Sequence, residues 1–537
     1  MNHPCSKSTS NSGPWWRRMF NPRQLPKVLF TVVSLITAAA VVMVILSRRD
    51  LHARPGAGAG DAPSASPERA AAEKLVPAPV PDEQNFAATP FLAATLEKGH
   101  MGAAADWPDD FSRADQWPRR SPNLRDSGVG QRTGRLITDL VAWQKAFEQS
   151  QSLDATRAEI PVSDTPDRTA NAQAAIAVLK ALEPYQPVLE ELQAASSRPQ
   201  SRFNVRYDLD NPWATLFPHL AVVKRTSQLL RLKTSAELAA GHSEQALRDL
   251  TLMLRLAECP ASEPTLISQL MRVACLNLAV QPLWEGLAER RWSVEQLQAL
   301  QARLQQFDFV ADLKRVLEAE RAWGNLTIAL ARDKRSPAFI FDPKAKAEAW
   351  RTEADRAFAS CPRDWFDAEQ RNYNEFFDER LLTGFDVEAR RFRPGVAEAN
   401  ARFVQAAVND TESLLNSHLV FAKELLVAPS KVHLKLANAQ STVDLAVLAC
   451  ALERARLIGG RYPDTLASLA PRYLRYIPQD LISGQPLHYE RTEDGGFLLY
   501  SIGWNESDDH GRPGFLTSGR GTEINQGDWV WRYPARR

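Results

Sequence analysis

VVKRTSQLLRLKTSAELAAGHSEQALRDLTLMLRLAE, residues 222–258, decides the fold. The run 222–240 leads into Gly241, and 243–258 follows at once before Pro260. In the second half Ala246, Leu250 and Met253/Leu254 recur at three- and four-residue spacing, which gathers apolar side chains on one face of a helix. Ser243 reads as its N-cap, with Glu244 in the first turn where negative charge complements the helix dipole. Two helices on a short polar turn predict an antiparallel hairpin.

The same periodicity extends outward. A helix expected over 263–287 is apolar nearly all round and so belongs at the centre of its domain. Ser293 then caps VEQLQALQARLQQF, and 309–332 reads as another long amphipathic helix. A helical-hairpin domain is expected over 131–440. The Gly241–Ala246–Leu250 spacing resembles the turn and second helix of a tetratricopeptide repeat, for one hairpin only, since no 34-residue period continues it. Glu320 falls on the apolar stripe of Leu313, Val316, Leu317 and Trp323, and Arg272 interrupts the most apolar helix. These two are expected to form a buried ion pair; the sharper alternative is a general acid with a raised pKa.

Upstream, VLFTVVSLITAAAVVMVILS (28–47) carries no charge and is long enough to span the hydrocarbon core as a helix. Lys7, Arg17, Arg18, Arg23 and Lys27 precede it without an acid, whereas Asp50 and Asp61 are mixed with the arginines that follow. The positive-inside rule then makes 1–27 a cytoplasmic N-terminus. The run is longer than a cleavable signal core and ends in Ser47-Arg48-Arg49, so an uncleaved signal anchor is expected in the inner membrane, with the bulk of the chain in the periplasm. Residues 48–130 are expected to form a flexible Ala/Pro/Gly-rich linker, too poor in apolar surface over 50–85 to offset the entropy of ordering.

Charge excludes one class of partner. Lys and Arg number 65 against 64 Asp and Glu, a balance without the basic stripe of a nucleic-acid binder. The five cysteines (Cys5, Cys259, Cys275, Cys361, Cys450) are odd in number and form no CxxC pair. Buried thiols are expected, with a Cys259–Cys275 bridge across a hairpin as the alternative. The histidines are scattered, and no metalloprotease, nucleophile-elbow, phosphate-loop or dinucleotide motif occurs. The chain therefore reads as a non-enzyme. A catalytic alternative would need a pocket at Tyr207-Asp208-Leu209-Asp210 beside Trp213.

The last hundred residues change character. STVDLAVLACALERARLI (441–458) reads as a helix with Ser441 as N-cap and Gly459-Gly460 as its stop. Two alternating runs, PLHYER and FLLYSIG, flank Glu493-Asp494-Gly495-Gly496, a hairpin signal. The helix into Gly460, then Tyr462-Pro463, Leu466, Leu469, Tyr473-Leu474, Pro478, Asp480, Gly484, Pro486, Tyr489, Gly496, Tyr500-Ser501-Ile502-Gly503 and Asp528-Trp529-Val530 follow in a particular order. That order resembles the globular domain of the major pseudopilin family of type II secretion, over about residues 441–531. The resemblance implies a small α+β domain at 441–537 and calcium held after the last strand of its hairpin. Calcium takes hard oxygen ligands, and the positions implied are Asn505, Asp508, Asp509 and Asp528. Asn505-Glu506 stands where the family would have Asp-Gly, and His510 where a glycine is usual. The membrane run lies far upstream of this domain, with Ser34 where the family's mature glutamate belongs.

The expected class is thus mainly α: one N-terminal transmembrane helix, a helical-hairpin domain and a small pseudopilin-like α+β domain. The expected function is that of a membrane-anchored extracytoplasmic scaffold or interaction protein, accessory to type II secretion or pilus-like machinery, with protein partners that include secretion components. The alternatives are a general envelope-binding protein with a calcium-stabilised C-terminal module, and an exported enzyme.

Overall fold

Helix formation begins earlier than composition predicts. The computed structural model describes residues 66–97, 137–150, 167–334, 361–409, 418–426, 428–515 and 522–532; the expected membrane run 28–47 lies outside them. Helix α1 (Pro67–Glu73) starts on a proline, and the Ser66 side chain accepts from the Arg69 amide. Ala72 is fully buried against Ala319, Trp323, Leu326 and Leu330. Helix α2 (Pro90–Glu97) follows, and Asn85 bridges to Gln200. Residues 66–97, expected within the flexible linker, are therefore folded onto the body. The Ser-Pro cap and a few apolar side chains suffice once a helical surface exists to receive them.

The body is mainly helical. Helices α3 (Leu140–Ser150), α4 (Arg168–Leu182) and α5 (Gln186–Ala195) lead to the hairpin of α6 (Pro218–Ala240) and α7 (Ser243–Glu258). Gly241 closes α6 at φ 85°, a left-handed C-terminal turn. Ser243 is the first residue of α7 rather than its cap; His242 takes the cap position, because the chain turns immediately after Gly241. Ala246 and Leu250 are buried in the hairpin. Helix α8 (Leu266–Ala288) packs against both α6 and α7. By length and composition it could cross a membrane, but most of it is buried within the body. Helix α9 (Val294–Leu304) opens on a capping box of Ser293 and Gln296, and α10 (Phe309–Lys334) follows.

Past α11 (Arg363–Phe376), the short pair β1 (Phe385–Asp386) and β2 (Arg391–Phe392) makes a turn into α12 (Pro394–Asn409) and α13 (Val420–Leu425). Helix α14 (Val432–Gly459) is the longest among the described residues. It corrects the expected start at Ser441: that residue is buried in mid-helix, because Val432, Leu436 and Ala439 carry the apolar pattern backwards through it. The expected domain boundary at 440/441 thus falls inside one continuous helix. Gly460 ends it at φ 79°.

Strands β3 (His488–Arg491) and β4 (Phe497–Ser501) form the expected hairpin, pairing Tyr489 with Leu499 and Arg491 with Phe497. A second antiparallel pair, β5 (Pro513–Phe515) and β6 (Thr522–Gly527), leads to β7 (Trp529–Arg532), which pairs with β4 so that Ser501 faces Trp529. The order of the three-stranded sheet is β3-β4-β7. Helix α14 packs against both α9 and β7, and one continuous apolar core runs from Phe86 to Trp531.

Candidate functional site

The loop after β4 is built from left-handed turns. Gly503 (φ 71°), Glu506 (φ 57°), His510 (φ 57°) and Gly511 (φ 72°) all lie in that region of backbone space. Glu506 and His510 are non-glycine residues in this conformation. An L side chain there costs on the order of 1 kcal/mol.

These turns bring three of the four expected metal residues together. The Asn505 side-chain amide donates to Asp509 Oδ2 at 2.8 Å. The Asp509 amide donates to Asp528 Oδ1 at 3.2 Å, and the Gly511 amide donates to Asp528 Oδ2 at 2.6 Å. Asp528 is almost fully buried at the junction of β6 and β7. Burial pushes its carboxyl up, two backbone amides oppose that, and the charges of Asp509 and Asp508 push the same way as burial. Asp508 turns aside: its Oδ1 accepts from the Tyr500 hydroxyl at 3.2 Å and the His510 amide at 2.8 Å. His488, stacked on Tyr500, stands 3.8 Å from its Oδ2. Among the described residues no three His, Cys, Asp or Glu converge as a ready metal cluster. Asp528, pushed up by burial and by the charges of Asp509 and Asp508, is the carboxylate that a hard cation beside it would relieve.

A second buried carboxylate shapes the same domain. Asp480 accepts from the Ser501 hydroxyl at 2.8 Å and from the amides of Ile482 and Ile502 at 2.9 and 3.1 Å. It ties the loop before β3 to the end of β4, and so fixes where the candidate loop begins.

The expected Arg272–Glu320 pair does not form. Arg272 bonds Asp312 and the Gln269 side chain, with its guanidinium over the Phe309 ring. Glu320 instead accepts from the Leu266 amide at 2.8 Å, and burial pushes its carboxyl up to about 7. Since α8 and α10 run antiparallel, Leu266 lies opposite Glu320, and Arg272, about 9 Å further along α8, lies opposite Asp312. Periodicity gives the face of each helix but not this register.

At the Tyr207–Asp210 stretch the polar groups are occupied. Asp208 accepts from the amides of Asp210 and Asn211, Asp210 pairs with Arg69 at 2.8 Å, and Trp213 donates to Thr327. Tyr207 stacks on Trp323. Cys259 and Cys275 are buried free thiols, and burial pushes Cys275 up to about 11.

Buried polar chains in the helical body escape sequence reading. Lys233 donates to Asp249 at 2.6 Å and to Glu237 at 3.0 Å, and Glu237 meets His242 Nδ1 at 2.7 Å. His219 Nε2 lies 2.6 Å from Glu263 Oε1, while the Ser268 hydroxyl donates to Oε2. The cross-helix partners, Lys233–Asp249 and His219–Glu263, are 16 and 44 residues apart in sequence, whereas Lys233–Glu237 is an i,i+4 pair. The only local sign is polar residues on every face of α6, as in a helix enclosed by others.

In comparisons with known proteins, no family model, no curated relative and no solved structure matches the chain.

Proposed function

We propose that the chain is a non-catalytic, membrane-anchored scaffold of the cell envelope. Its helical body would offer a surface to protein partners, and its pseudopilin-like C-terminal module would engage secretion or pilus-like machinery. The observation that carries the reading is the backbone of the 503–511 loop. Glu506 and His510 adopt the left-handed conformation that glycine favours, and they do so at the two positions where the resemblance expects glycine. The order of helix, glycine stop, hairpin and terminal Asp-Trp strand supports the same reading. Calcium is the cation this loop would take, with an affinity on the order of 0.1–1 mM, as in extracellular modules.

In-cell crosslinking of the tagged full-length chain, with mass spectrometry of what is captured, tests the reading. Recovery of pseudopilins or other secretion components is the expected result. Recovery of unrelated envelope proteins alone would reject the secretion role and leave a general envelope-binding protein.

A further inference from the structure

One end of the helical body is basic and studded with apolar side chains. Helix α14 finishes there with Leu457 and Ile458, which are 40% and 48% exposed. The loop that follows returns to the same end. The Tyr473 carbonyl accepts from Gln301 of α9 at 2.9 Å and from Arg454 of α14 at 3.3 Å, and Arg454 also bonds Gln298 of α9. Three residues beyond Tyr473 stands Tyr476, 69% exposed. The start of α9 belongs to this end too: Gln298 meets Arg454 and the Phe309 amide just past α9 meets Gln440, so α9 runs antiparallel to α14 and begins beside its end.

Arg291, Arg461, Arg472 and Arg475 are exposed here. Of the acids nearby, Glu295 in the first turn of α9 is exposed and accepts from the Ser293 hydroxyl, and three others are held by cations. Glu453 is buried against Arg456 and Tyr462, Asp464 is bridged by Arg461 and Arg491, and Glu289 by Arg168. Arg291, Arg472 and Arg475 form no ion pair among the described residues; Arg472 lies over the Tyr473 ring. Leu457, Ile458 and Tyr476 are exposed on the same stretches of chain that carry Arg461, Arg472 and Arg475. That mixture suits the headgroup region of a bilayer, where arginines meet phosphate and Leu, Ile and Tyr enter the acyl boundary.

We infer that this end, centred on Arg291, Arg472, Arg475, Leu457, Ile458 and Tyr476, docks on an anionic phospholipid surface. The occupant rests on the membrane-anchor reading above: with the anchor at 28–47, residues 48–65 are all the chain between it and Ser66, at most about 60 Å if fully extended. Docking would hold the body in one orientation, leaving its other faces to partners.

The test is amide hydrogen exchange of the full-length chain in vesicles of phosphatidylcholine alone and of phosphatidylcholine mixed with phosphatidylglycerol. Exchange over 456–476 is expected to slow about tenfold in the anionic vesicles. The triple variant Arg291→Glu, Arg472→Glu, Arg475→Glu should return it to the neutral-vesicle rate with the melting temperature unchanged. Equal exchange in both vesicles, or slowing that survives charge reversal, overturns the inference. So does slowing produced by added poly-glutamate but not by anionic lipid, which would make the partner an acidic protein. Alkaline carbonate extraction reads the anchor separately: release of the chain would reject the anchor without deciding the docking.

Discussion

At Glu506 and His510 two side chains occupy backbone conformations that suit glycine. Relieving that strain outweighs the extra freedom glycine gives the unfolded chain. Glu506→Gly and His510→Gly should each stabilise by about 0.5–1 kcal/mol, seen as a higher urea midpoint with an unchanged slope. The calcium claim belongs to the same loop. Against chelator, calcium at about tenfold its dissociation constant should add about 1.4 kcal/mol to the full chain, read as a rise in melting temperature. Asp509→Asn should remove most of that rise, and a chain whose melting ignores calcium would reject the metal. Elsewhere, burial carries Glu320 from 4.5 to about 7. Between those values the folded state holds a proton the unfolded state has released, so stability falls as pH rises from about 4.5 to 7, by about 3 kcal/mol. Glu320→Gln can still accept from Leu266 without ionising, so its stability should stay flatter across that window and exceed wild type at pH 8. Asp444, pushed up to about 7 by burial, adds a slope of the same sign. Asn505, Asp509 and Asp528, expected from their order in the chain, do lie within hydrogen-bond reach of one another, because one loop and the β6–β7 junction hold them. The Arg272 and Glu320 partners were not legible, because two helix faces leave the register between helices open.

At the scale of elements, periodicity placed α7 to within one residue and α8 and α10 to within a few, since their apolar faces are long. Caps were harder to read. Ser293 caps α9 as its Gln296 foretells, but Ser441, with equally good local chemistry, lies in the middle of α14. A serine caps only where the apolar pattern before it stops, and here it continues to Val432. Two glycines separate conformational from packing roles. Gly460 turns left-handed with nothing within 4 Å of an added Cβ, so Gly460→Ala should cost only the backbone strain, about 1 kcal/mol. Gly324 on α10 lies under the Tyr373 ring of α11, and an added Cβ would collide with its hydroxyl carbon and oxygen. Tyr373 also donates to the Glu320 carbonyl at 3.1 Å. Gly324→Ala should therefore cost about 2–3 kcal/mol through overpacking, and Gly324→Ala with Tyr373→Phe should recover part of it, measured by chemical denaturation.

For the whole molecule, the sequence suggests a C-terminal domain beginning at 441, whereas the fold threads that region through the helical body. Helix α14 supplies the first third of its length, up to Gln440, to the body: the Gln440 side chain accepts from the Phe309 amide at 2.8 Å. Trp284 of α8 donates to the Arg532 carbonyl at the end of β7, and Phe392 of β2 donates to the Leu481 carbonyl. Arg454 and Gln301 join α14, α9 and the 471–476 loop. Composition marks where secondary structure changes type, but it carries no record of which apolar face covers which. A cut at 440/441 would strip α14 of its cover on α8, α9 and α10 and leave Val443, Leu448 and Leu452 open to water. The fragment 441–537 should accordingly lack cooperative unfolding and most of its helix by circular dichroism. Ala65–Arg537 clusters as one compact unit, so the full chain should melt in a single transition on which tryptophan fluorescence and helix content coincide. A fragment that melts sharply by itself would make the C-terminal region an autonomous appended domain. Loss of folding would mean that the C-terminal sheet and the helical body share their stability through α14, so that a perturbation of one is felt at the other.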